Sequence, residues 1–112
     1  MERPTGLSNM TKNILWAPEA LSDWFASRRP GQHVDNADLH LPQSLKVGNK
    51  AVLQMDLGKY VGSFTIWGGG TTEWLVLDAE SRELVISSDQ EFGSSEQLFG
   101  LLDAALAEIL EL

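Results

Sequence analysis

Residues 50–86 read KAVLQMDLGKYVGSFTIWGGGTTEWLVLDAESRELVI. Four runs rich in β-branched, aromatic and aliphatic residues are divided by Gly58, by Gly68-Gly69-Gly70 and by the polar segment Asp78 to Arg82. None of these spacers can hold a crossover helix, so successive runs must pair antiparallel. Side chains alternate between the two faces of a strand. Ala51, Leu53, Met55 and Leu57 therefore share one face, with Val52, Gln54 and Asp56 on the other. In the second run Tyr60, Phe64 and Ile66 oppose Val61, Ser63, Thr65 and Trp67. In the third, Leu75 and Leu77 are assigned to the core, opposite Glu73, Trp74, Val76 and Asp78. In the last, Leu84 and Ile86 are assigned to the core, with Val85 and Ser87 outward. The result is one apolar face and one mixed face that carries Trp67 and Trp74 among acids and hydroxyls.

The segment after this meander reads as a helix. Ser94-Ser95-Glu96-Gln97 has the capping-box pattern, with Ser94 as N-cap and Gln97 three residues on. Leu98, Leu102, Ala105, Leu106 and Ile109 follow at helical spacing, and Phe99, Leu101, Leu110 and Leu112 widen the stripe. Before the meander, Pro18 to about Arg29 reads as a second helix. Pro18 suits the first turn, Trp16 is placed to staple onto Leu21, and Pro30-Gly31 stops the helix. Leu21, Trp24 and Phe25 form its apolar stripe. Leu39-His40-Leu41, ended by Pro42, reads as a short edge strand, and Leu45 and Val47 as the start of pairing with the sheet. The expected fold is α+β: an antiparallel meander of four to five strands, with an N-terminal and a C-terminal helix packed on one face. Residues 1–13 are expected to form a flexible tail, with Met10 as an alternative start, and residues 14–112 a single domain.

The 112 residues suffice for one core. No apolar run approaches bilayer length, and the first 13 residues lack the apolar stretch of a signal peptide. Absence of cysteine excludes disulfides and thiolate metal sites. A cytoplasmic protein is the expectation. The net charge of −8 is unevenly spread. Residues 1–59 carry seven bases and six acids, net +1, whereas residues 60–112 carry Arg82 against ten acids, net −9. Such a half repels nucleic acid and steers a basic partner towards it; its simplest reading is a solubilising surface.

Motifs for chemistry are absent. The three glycines lack a following lysine and lead into a strand, so they do not form a phosphate loop. His33, Asp35, Asp38 and His40 cluster in sequence but match no metal-ligand spacing, and a polar loop is the expectation. No serine stands in a nucleophile elbow. No catalytic residue, metal or cofactor is assigned, and the chain is read as a binding protein rather than an enzyme. The interface candidates are Trp67 and Trp74 with the acids Glu73, Asp78, Glu80, Glu83, Asp89 and Glu91, because exposed aromatics beside charges are the usual composition of binding hot spots. The competing reading places the tryptophans beneath the first helix.

From Tyr60 onward, YVGSFTIWGGGTTEWLVLDAESRELVI, the spacer Asp89-Gln90-Glu91 and the helix SSEQLFGLLDAALAEIL together resemble the TriTu-type immunity proteins. The matching features are the strand end Ile66-Trp67 followed by glycine, the hairpin Leu77 to Glu83 and the serine-capped last helix. The resemblance covers roughly the last half to two-thirds of the chain. It implies an antitoxin that neutralises a cognate toxin domain by occluding its active site, the toxin being an Rhs effector of type VI secretion with ADP-ribosyltransferase activity. The implied partner is that toxin domain, with a basic NAD- or RNA-binding cleft; no nucleic acid or membrane is implied, and the free chain is expected as a monomer or weak dimer. Two alternatives are a small acidic secretion chaperone and an immunity protein directed at a nuclease. Secretion chaperones interrupt their sheet with a helix, for which residues 50–88 leave no room.

Overall fold

All three short spacers turn the chain back on itself. In a computed structural model, which describes residues 17–42 and 49–112, the elements are α1 (Ala17–Arg28), a 3-10 turn (Pro30–Gln32), β1 (Asn36–His40), β2 (Lys50–Leu57), β3 (Tyr60–Trp67), β4 (Thr71–Asp78), β5 (Leu84–Glu91) and α2 (Ser95–Leu110). The strands form one antiparallel sheet in chain order, β1-β2-β3-β4-β5. This is the α+β meander the sequence calls for, with five strands. The expected tail, the Trp16 staple and the pairing of Leu45 and Val47 lie outside the described residues. Among the described residues no helix is long and apolar enough to cross a membrane.

The hairpins set the register. Gly58 and Lys59 close β2 onto β3 with Leu57 opposite Tyr60. The three glycines close β3 onto β4 with Trp67 opposite Thr71. Gly70 ends that loop at φ 96°, a left-handed conformation that suits glycine, and its N–H donates to the Trp67 carbonyl at 3.0 Å. In the third turn Asp78 accepts from the N–H groups of Glu80 and Ser81, both at 2.9 Å. β1 starts earlier than Leu39, at Asn36, and stops at His40. Its alternation puts Ala37 opposite Met55 and Leu39 opposite Leu53 on the buried side.

One core lies between the sheet and the two helices. Leu21 and Trp24 of α1 and Leu98, Leu102, Ala105, Leu106 and Ile109 of α2 are buried against Leu53, Met55, Phe64, Ile66, Trp74 and Val76. Each large side chain so buried contributes about 1.5–3 kcal/mol. The helices are tied together by polar groups: Trp24 Nε1 donates to Asp103 Oδ1 at 2.9 Å, and Arg28 Nε donates to the same oxygen at 3.0 Å. The cap of α2 forms as its sequence indicates, with Ser94 Oγ accepting from the Gln97 N–H at 3.2 Å. The Gln97 side chain reaches back one residue further than a standard capping box, accepting from the Gly93 N–H at 2.6 Å.

The structure corrects the expected faces at the far end of the sheet. Trp74 and Val76 are buried in the core, and Leu75 and Leu77 stand half-buried on the opposite face. The room for Trp74 comes from Gly62 on β3, where a Cβ would lie 2.6 Å from the indole and 3.0 Å from Ile109. Phe64 flanks the same ring, with centroids 6.0 Å apart. Leu84 is not in the core. The β4–β5 register shifts between Val76 and Leu77, so Leu77 pairs with Leu84 rather than Val85, and Leu84 remains 55% exposed. The apolar stripe of α2 is also narrower than expected, since Leu110 and Leu112 are exposed.

Candidate functional site: an acidic corner around Trp67

No described helix covers the second face of the sheet. Its middle carries Val52, Val61, Leu75 and Leu77, all half-buried. At one end, two neighbouring rows cross the strands. One row is Lys50, Trp67, Thr71 and Glu91. The next is His40, Val52, Thr65, Glu73 and Asp89. Strand alternation points every one of these side chains to the same face. Trp67 is therefore held at the surface, 36% exposed, beside Glu73, Asp89 and Glu91. Together with Thr71 these residues line an open depression of about 740 Å³.

Two interactions shape the corner. The Lys50 ammonium lies 5.2 Å from the Trp67 ring centroid, a cation–π contact on one side of the indole. Glu73 and Asp89 stand directly opposite each other on β4 and β5. Like charges in that position destabilise a sheet by roughly 0.2–1 kcal/mol. With three carboxylates and one ammonium the corner is net negative, and it offers a flat aromatic surface at its centre.

The eight candidate residues therefore separate into three groups. Trp67, Glu73, Asp89 and Glu91 come together. Asp78, Glu80 and Glu83 lie at the other end of β4, about 17 Å from Glu73 along the strand. Trp74 is 3% exposed, and its Nε1 donates to Glu108 Oε1 at 3.0 Å beneath α2, so it is a core residue and not a surface anchor. The competing reading is right that Trp74 lies beneath a helix, but the helix is α2 and not the first helix, and it does not hold for Trp67. Asp78 is a turn residue: the N–H groups of Ser81 and Glu80 hold its carboxyl below the ordinary carboxylate range. Sequence reasoning missed Lys50 and Thr71. The signal for both was the hairpin count, because Gly58-Lys59 and the three glycines place them on either side of Trp67.

Of the residues weighed as metal ligands, Asp38 and His40 share the open face of β1, where Asn36 Nδ2 donates to Asp38 Oδ2 at 3.0 Å. Among the described residues no three His, Asp or Glu side chains converge in a geometry that would hold a metal ion. No family model, curated protein or solved structure matches this chain.

Proposed function

We propose that this chain is a cytoplasmic immunity protein, which binds a toxin domain through the open sheet face and blocks its active site. The observation that carries the reading is the corner itself: a surface-held Trp67 next to two directly opposed carboxylates, Glu73 and Asp89. A fold keeps such a pair at a cost in its own stability, and the return is a negative potential on an aromatic platform. That potential complements a basic cleft that binds NAD or RNA and accelerates capture, while the indole supplies the affinity. The resemblance of residues 60–110 to TriTu-type immunity proteins points to the toxin class, an Rhs effector with ADP-ribosyltransferase activity. The protein acts by occupancy alone and requires no cofactor.

The test is co-expression. The C-terminal domain of the toxin encoded beside this chain is induced in bacteria with and without it. Restored growth and co-purification of the two proteins are expected. Toxicity that this chain does not relieve overturns the proposal.

A further inference from the structure

The edge strand β5 and the helix beside it form a second surface, continuous with the corner. β5 is the last strand of the sheet, and among the described residues it pairs only with β4. Its eight residues, LVISSDQE, include no proline, lysine or arginine, the residues that usually blunt an edge. The Phe92 N–H donates to the Gly70 carbonyl at 2.9 Å. With the β4–β5 register, this parity turns the backbone groups of Ile86, Ser88 and Gln90 towards β4. Those of Ser87, Asp89 and Glu91 then point away from the sheet.

α2 does not cover this edge. A groove of about 240 Å³ runs between β5 and the helix, lined by Trp74, Ser88, Gln90, Leu101, Ala104 and Glu108. Two of its lining residues, Ser88 on the strand and Ala104 on the helix, are small. An edge strand with an adjacent helix groove is the arrangement that takes up an extended peptide as an additional strand.

We infer that β5 binds an extended, basic segment of the partner as a sixth strand. In that strand, alternate side chains would meet Asp89 and Glu91 on the open face, and the intervening ones would enter the groove against Leu101 and Ala104. The carboxylate of Glu108 on one wall and the absence of any cation on β5 set the charge of the segment. This mode rests on the immunity reading only for the expectation of a basic partner. It is tested without the toxin, so the two can fail separately.

The probe is a seven-residue peptide alternating lysine and valine, titrated into the full chain labelled for NMR. Saturable shifts are expected along Ser87 to Glu91 and at Leu101 and Ala104, with amide exchange at Ser87, Asp89 and Glu91 slowed at least about tenfold. Ser87→Pro removes an outward N–H and leaves the ladder to β4 intact; it should weaken binding about tenfold, the loss of one hydrogen bond. Ala104→Lys, on the exposed side of α2, should block the groove and weaken binding at least as much. Absence of saturable binding up to about 1 mM overturns the proposal. So do shifts centred on Trp67 and Glu73 that neither substitution alters.

Discussion

Trp67 and Trp74 lie on neighbouring strands of one sheet and have opposite fates. Trp74 fills the space over Gly62, donates a hydrogen bond to Glu108 and lies almost wholly beneath α2. Trp67 stands on the other face, steadied by Lys50 and surrounded by carboxylates. The difference is one of phase. The residue identity is the same, and the parity of the strand position decides whether an indole is buried in the core or held at the surface. The covered face pairs the Trp74 N–H with Glu108, whereas the open face keeps Glu73 directly opposite Asp89.

The comparison breaks most readily at Trp74. Trp74→Ala should lower the unfolding free energy by about 3–5 kcal/mol in denaturant titrations, because a large cavity opens under α2. A loss below about 1 kcal/mol would mean that the indole is not packed as described. Gly62→Ala acts on the same packing from beneath. A methyl group 2.6 Å from the ring must displace it, at a cost of about 1–3 kcal/mol.

Smaller effects sharpen the other side of the comparison. Glu73→Gln combined with Asp89→Asn removes the opposed charges and should raise stability by roughly 0.2–1 kcal/mol. Under the proposed function, the same double variant should associate more slowly with the toxin domain, with a rate that depends less on salt. A variant that is neither more stable nor slower to associate would show that the corner's charge has no role. The smallest effect concerns acid. Burial raises the Asp103 carboxyl, but the hydrogen bonds from Arg28 and Trp24 outweigh it and leave the folded value below the ordinary 3.8. The stability this adds is complete above pH 3.8 and is lost as pH falls from there through the lower folded value. Asp103→Asn should flatten that part of the acid unfolding curve followed by circular dichroism. Because the Arg28–Asp103 pair is exposed, the effect at neutral pH is minor.

Much of this was legible in the sequence. Spacer lengths dictate antiparallel pairing, and Ser94 with Gln97 marks the start of α2 to the residue. The phase of β4 was misread because Leu75 and Leu77 are the more obvious apolar pair. Counting back across the three-glycine loop puts Trp74 opposite Phe64 and Val76 opposite Gly62, which assigns both to the core. The displacement of Leu84 had no such signal, since a bulge changes the parity without changing the composition. For the site, the sequence singled out Trp67, Glu73, Asp89 and Glu91, which the fold brings together. It did not show that Asp78, Glu80 and Glu83 sit at the opposite end of the strand from Glu73, because the position of an acid along a strand depends on where each hairpin closes.

The central claim is that the open face at Trp67 is the working surface. Its most direct test is the dissociation rate of Trp67→Ala from the immobilised toxin domain, measured beside its thermal unfolding. The account predicts dissociation at least about tenfold faster, the loss of one binding hot spot, with an unfolding midpoint close to that of the unaltered chain. An unchanged dissociation rate from an equally stable variant would contradict it and move the binding surface elsewhere on the molecule.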